Sequence, residues 1–215
     1  MTSLVAFGAG SQIESHVTLL LATYPSITNV TIVNRTINDR ATALLSRLRT
    51  DHTAACFNAI SSDLQDKIES AVRQADCVCC ATPSTAPLFR SEWVRPGTHI
   101  ILVGSYKPEM AEVDTALIRR ARILVDSRSA CVSEAGELIG ARLAAEDMVE
   151  VGELLRSMPA GKGVEADSEK VAEVLNGRDV TMFKSVGVGA QDVAISIAAV
   201  VRAIERQIGT RVSYF

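Results

Sequence analysis

The sequence has 215 residues, 47% of them hydrophobic and 22% charged, a mixture that builds one large domain or two small ones and excludes collagen-like, mucin-like and disordered chains. Its 22 Lys and Arg against 25 Asp and Glu leave a net charge of −3, with no positive surplus to attract nucleic acid or anionic lipid. No apolar stretch approaches the ~20 residues of a bilayer span, and residues 1–3 lack the basic start of a secretory signal, so a cytoplasmic protein without membrane contact is expected.

Short apolar runs rich in β-branched residues alternate with amphipathic stretches at helical spacing. Strands are predicted at residues 4–7, 30–33, 54–57, 77–80, 100–103, 123–125 and 180–183, and helices between them at 11–22, 39–49, 63–74, 115–120 and 133–139. This alternation predicts an α/β fold with a doubly wound, Rossmann-type parallel sheet. Ser62 and Gln65 are placed to form a capping box for the third helix. Two weaker helices are predicted at 147–158 and 168–175, separated by a loop carrying Pro159, Gly161 and Gly163. Val193, Ile197, Val200, Val201, Ile204 and Ile208 then make an apolar stripe along a last helix, and such a stripe needs a surface to pack on. The expected division is a nucleotide-binding domain at 1–186 and a C-terminal helix and tail at 187–215.

Cys56, Cys77, Cys79, Cys80 and Cys131 make an odd count with three crowded into four positions, which is not a disulfide framework. Residues 77–80 continue an apolar run, so these thiols are expected in the core.

Chemistry enters at Gly8, Gly10, Ser11 and Gln12, which follow the first strand and open the first helix, where a dinucleotide fold places its phosphate turn. Gly8 suits the tight turn, and Gly10, lacking Cβ, admits a pyrophosphate to the helix N-terminus. The third small position of that pattern is Ile13 instead. At the end of the second strand, Asn34, Arg35 and Thr36 stand where a carboxylate would hold a free ribose 2′-hydroxyl. Without that carboxylate nothing repels a 2′-phosphate, and Arg35 offers a two-pronged donor to it, so the expected cofactor is NADP(H).

Three blocks, ADCVCCATPSTAP at 75–87, GTHIILVGSYKPEMAEVD at 97–114 and TMFKSVGV at 181–188, together with Gly209 and Thr210, resemble the ornithine cyclodeaminase and mu-crystallin family over residues 4–212. The resemblance implies that Ser11 and Gln12 touch the pyrophosphate and that Asn34, Arg35 and Thr36 hold the 2′-phosphate. It also implies that Thr82 lies beside the nicotinamide ribose, Val103, Gly104 and Ser105 along the nicotinamide edge, and Ser185 near the carboxamide. Cyclodeaminases carry an acid shortly after the Val-Gly pair, where this sequence has Tyr106, then Lys107 and Pro108. The activity implied is therefore reduction of a cyclic imine or related imino acid, with a small amino or imino acid as substrate and a homodimer as the assembly. Relatives have about a hundred residues or more before the glycine turn, the size of a small domain, where this sequence has seven. The Arg and Lys that grip the substrate carboxylate in relatives thus have no counterpart to assign, and the last helix, which in the family packs on that region, is expected to lack its cover. A non-catalytic NADPH-binding or ligand-binding protein is the alternative.

Among the other candidates, His16, His52 and His99 share no metal-ligand spacing and read as structural or solvated. Lys184 is a candidate active-site cation, and Lys107 a candidate proton donor if buried. Asp126 and Asp192 read as a helix cap and a helix N-terminal charge, and Trp93 as a surface plug before the fifth strand.

Overall fold

The structure is a computed structural model that describes residues 1–158, 163–210 and 212. Pro159 and Gly161, expected in a loop, lie outside the described residues. In chain order the elements are β1 (Ser3–Phe7), α1 (Ser11–Thr23), β2 (Asn29–Asn34), α2 (Asp39–Asp51), β3 (Cys56–Ser61), α3 (Gln65–Gln74), β4 (Cys77–Cys80) and β5 (His99–Leu102). There follow α4 (Thr115–Arg120), β6 (Ala121–Val125), α5 (Arg128–Glu134), α6 (Gly136–Gly140), β7 (Met148–Glu150), β8 (Leu155–Ser157), β9 (Val164–Ala166), α7 (Ser168–Asn176), β10 (Val180–Lys184) and α8 (Gly189–Glu205).

Eight strands form one sheet in the order β3-β2-β1-β4-β5-β10-β6-β7, every neighbouring pair parallel. Strand order reverses between β1 and β4, the switch point at which a doubly wound sheet opens a crevice at the strands' carboxyl ends. Register aligns those ends: Phe7 pairs with Val33 and Cys80, Cys80 with Leu102, and Leu102 with Lys184. The residues just beyond them, Gly8, Asn34, Ala81, Val103 and Ser185, therefore lie along one edge.

Each face of the sheet carries its own core. Ile13, Val17 and Leu20 of α1 and Leu44 and Leu48 of α2 cover one face. Ile68 and Val72 of α3, Leu117 and Ile118 of α4, Cys131 of α5 and Leu138 of α6 cover the other. Successive strand residues point to opposite faces, so Cys77 and Cys79 join the first core while Val78 and Cys80 join the second. All five cysteines are free, Cys56 being exposed. Burial pushes the thiols of Cys77 and Cys131 up to about 12, so these are packing groups and not thiolates. His99 bonds Thr181 through Nδ1 at 2.8 Å, in line with a structural histidine. Among the described residues no group of His, Cys, Asp and Glu is arranged to hold a metal, and no helix is long and apolar enough to cross a membrane.

Several local expectations need correction. The third strand runs over Cys56–Ser61 instead of 54–57; it lies at the edge of the sheet, where Asn58 can face solvent while Phe57 is buried. The capping box is not made: α3 starts at Gln65 behind Leu64, the Gln65 side-chain Nε2 donates to the Ser62 carbonyl (2.7 Å), and the Ser62 hydroxyl donates to the Arg35 carbonyl (3.4 Å). The helix expected at 133–139 is two shorter ones, broken at Ala135, because Gly136 packs against the carbonyls of Lys107, Pro108 and Met110. In place of a helix at 147–158 the chain makes β7, a 3₁₀ turn and β8, since Met148–Glu150 finds open backbone partners on β6 and tertiary pairing overrides helical spacing. Trp93 is buried in the second core, with the Arg90 guanidinium over its ring at 5.9 Å. Asp126 is not the cap of α5, a role taken by Ser127.

Helix α8 is amphipathic but uncovered: Val193, Ile197, Val200, Val201 and Ile204 are 49–72% exposed, and none of its residues is buried. Apolar surface of this extent is a liability in water, because burying each such side chain is worth about 1.5–3 kcal/mol. Light scattering of the chain is expected to show association growing with concentration, and Val200→Glu to shift that onset upward at least several-fold.

Asp76 ties the start of β1 to the start of β4. The Thr2 amide foremost, then the Ser3 amide, the Thr2 hydroxyl and Arg95, hold its carboxyl down to about 2, from an ordinary value of 3.8, against the opposing effect of burial. A depressed folded-state value means stability that is present above pH 4 and lost as pH falls through 2. Asp76→Asn is expected to lower the melting temperature at pH 7 by about 3–10 °C and to flatten the acid limb of a melting-temperature profile between pH 4 and 2.

Candidate functional site

The crevice begins at the turn after β1. Gly8 has φ +116°, and a Cβ there would stand 2.9 Å from the Ala81 carbonyl oxygen and 3.3 Å from Ile13. The missing Cβ thus serves both the left-handed turn and the burial of Ile13, which is how α1 packs on the sheet without a small residue at position 13. Gly10 caps α1 in an extended conformation with no side chain bonding the first-turn amides. The amides around Ser11 and Gln12, at the positive end of the helix, can therefore accept an anion.

Beyond β2 the turn is braced from within. The Asn34 side-chain Nδ2 donates to the Thr36 carbonyl (2.8 Å), and the Ser61 hydroxyl donates to the Arg35 carbonyl (3.2 Å). This leaves the side chains of Arg35 and Thr36 exposed toward the crevice. Arg40, from the first turn of α2, reaches the same place: its guanidinium would stand 3.0 Å from a Cβ on Gly10. Gly8, Gly10, Asn34, Arg35, Thr36, Arg40 and Thr82 line one cavity of about 640 Å³, a size suited to a nucleotide. Two guanidinium groups, a glycine turn and an uncapped helix N-terminus, with no acid in the stretch 34–38, fit the phosphates of a dinucleotide.

On the other side of the switch point the sequence-predicted residues turn inward. The Thr82 amide (2.7 Å) and hydroxyl (2.9 Å) donate to Glu112 Oε1, and the Gly104 amide donates to Oε2 (2.8 Å). Glu112 is fully buried; burial pushes its carboxyl above the ordinary value, and the Thr82 and Gly104 donors pull it back. One carboxylate thus joins the ends of β4 and β5, and Gly104 fits only because it lacks a side chain: a Cβ would lie 2.0 Å from the Thr82 carbonyl oxygen. Ser105 is buried with its hydroxyl on the Met110 carbonyl (3.0 Å). The Ser185 hydroxyl donates to Asp126 Oδ2 (2.7 Å), which also accepts the amides of Val186 and Gly187. Lys184, a candidate active-site cation in the sequence, is wholly buried, with its ammonium against the Ser105 carbonyl and Glu137. Lys107 is exposed, 5.7 Å from the Tyr106 ring centroid, so the burial required for its role as proton donor is absent.

Glu112, Arg40 and Glu137 belong to no motif that the sequence displays. A carboxylate between apolar neighbours, as in Met110-Ala111-Glu112-Val113 and Gly136-Glu137-Leu138, is the available signal of a buried anion. For Arg40 the signal was a base in the helix that follows the Asn-Arg-Thr turn.

Residues 2–206 match the Ornithine cyclodeaminase/mu-crystallin family. The chain is 36% identical over 189 residues to Protein SAR DEFICIENT 4 of Arabidopsis thaliana, a match covering 88% of this chain and 54% of that protein. It is 32% identical over 198 residues to the Delta(1)-pyrroline-2-carboxylate reductase of Paracoccus denitrificans, covering 90% and 56%. The Thermococcus litoralis Delta(1)-pyrroline-2-carboxylate reductase, solved with NADH and L-proline, superposes with a TM-score of 0.76 at 23% identity over 98% of this chain and 61% of that one, which is a likeness of fold. The chain spans about half the length of these two curated relatives.

Gly104→Ala is expected to lower the melting temperature by about 5 °C or more, because backbone has to move apart. Gly140→Ala, with nothing within 4 Å of the new Cβ, serves as the control and is expected to leave it nearly unchanged.

Proposed function

From the chain's membership of the ornithine cyclodeaminase/mu-crystallin family, we propose that it is the nucleotide-binding part of an NADP(H)-dependent reductase acting on a cyclic imino acid. The observation that carries the cofactor assignment is the turn after β2, where Asn34, Arg35 and Thr36 with Arg40 present donors and no carboxylate to the crevice. Gly8 and Gly10 and the first-turn amides of α1 would receive the pyrophosphate, with Arg35 and Arg40 around the 2′-phosphate. The other half of the dinucleotide would then run past Thr82 to Val103, Gly104, Ser105 and Ser185, because these end the strands across the switch point. When bound, the nicotinamide supplies the hydride. This chain's residues bind and orient it: Glu112 holds Thr82 and Gly104 against each other, and Asp126 holds Ser185. Tyr106, exposed at the site where the family resemblance would place a cyclodeaminase acid, supports imine reduction over deamination. In the same reading residues 1–186 hold the nucleotide, and the apolar side of α8 is the surface through which the protein assembles as a dimer.

Calorimetry is expected to show NADPH binding at least about tenfold tighter than NADH, the equivalent of one charge-assisted phosphate contact. Arg35→Ala is expected to erase most of that preference. Equal affinities in the unmodified chain would overturn the cofactor assignment. Oxidation of NADPH by Delta(1)-pyrroline-2-carboxylate, followed at the cofactor's absorbance, is the expected activity, with no ammonia released from ornithine. NADPH binding without turnover would make the chain a binding module.

A further inference from the structure

Lys184 and Glu137 form an ion pair that neither packing nor solvation explains. Lys184 Nζ lies 3.1 Å from Glu137 Oε1, and the two residues are 0% and 3% exposed. Removing both charges from water costs about as much as their attraction returns, so apolar residues would serve stability as well. Both Glu137 oxygens lack a hydrogen bond of good geometry among the described residues, which ties the carboxylate to the one ammonium. The second contact of that ammonium is informative: Nζ donates to the Ser105 carbonyl at 2.5 Å.

Lys184 closes β10, Ser105 lies just past β5, and Glu137 belongs to the first turn of α6. The pair therefore joins three elements beside the crevice, on the side of the switch point away from Arg35. The same turn of α6 supplies Gly136, where a Cβ would meet the Met110 carbonyl oxygen at 2.0 Å and that of Lys107 at 2.6 Å. The segment from Gly104 to Met110 is thus seated on Gly136, held at Gly104 by Glu112, and pulled at Ser105 by Lys184. We propose that the buried Lys184–Glu137 pair is a positioning device that sets the Gly104–Ser105 backbone to receive the nicotinamide half of the cofactor. It acts through Ser105 and touches no ligand. The proposal rests on the nucleotide reading above.

The test compares ligands that share the adenosine half. In the full 215-residue chain, Lys184→Met/Glu137→Leu replaces the pair by apolar side chains of similar volume. Affinity for 2′,5′-ADP, which lacks the nicotinamide, is expected to stay within about twofold of the unmodified chain, while NADPH loses about tenfold or more. The fluorescence enhancement of bound NADPH is expected to fall with it. A double variant that keeps the ratio of the two affinities, or that loses both ligands equally, overturns the positioning role. If the double variant does not fold, Glu137→Asp, which keeps the charge and shortens the reach, is read by the same ratio and is expected to lower NADPH affinity alone. An unmodified chain that binds neither ligand overturns the nucleotide reading, and this proposal falls with it.

Discussion

All eight strands of the main sheet are parallel, so their carboxyl ends meet along one edge and expose a row of backbone amides that must be paired, covered or offered to a ligand. The two halves of that edge meet the constraint in opposite ways. On the β1–β2 side the helix behind Gly10 has no capping side chain, and Arg35 and Arg40 add positive charge to amides already at a positive helix end. On the β4–β5–β10 side the protein's own carboxylates take the donors: Glu112 binds Thr82 and Gly104, and Asp126 binds Ser185, Val186 and Gly187. One half leaves its donors open to the crevice, and the other is a wall whose groups are already committed.

This asymmetry suits a ligand with phosphates at one end and an uncharged carboxamide-bearing ring face at the other. A phosphate brings charge enough to displace water from exposed guanidinium groups and amides. A flat ring is oriented chiefly by the shape of the surface beneath it, so rigidity matters more than free donors. The buried Glu112 provides such rigidity, because moving its donors away would leave a poorly solvated carboxylate in a low-dielectric interior. Gly104 and Gly136 belong to the same device, since each allows backbone to approach within distances that no side chain tolerates.

Helix α8 shows a different balance. Its apolar residues keep helical spacing without a partner surface among the described residues, so local propensity sustains the helix while the packing that usually stabilises one is missing. Its start is fixed indirectly, through the Asp126 bonds to the residues that lead from β10. The same carboxylate therefore shapes both the crevice wall and the entry to the helix.

The α/β class, the parallel sheet and its seven principal strands were legible in the sequence, because each buried strand is an apolar run and each covering helix an amphipathic one. The crevice lining on the β1–β2 side was legible for a related reason: Gly8, Gly10, Asn34, Arg35 and Thr36 are contiguous with the elements that position them, so adjacency in the chain already implies adjacency in space. Tertiary structure decided what depends on distant partners. It placed β10 between β5 and β6, and it turned residues 148–150 and 155–157 into strands by offering them backbone partners. It also placed Lys184, a candidate active-site cation, in a buried tie to Ser105 and Glu137. Glu112 lies 30 residues from Thr82, and Ser105 lies 79 from Lys184. Spacing along a chain carries no information about which carboxylate will meet which donor at such separations; only the register of the parallel strands, which brings their ends to one edge, determines it.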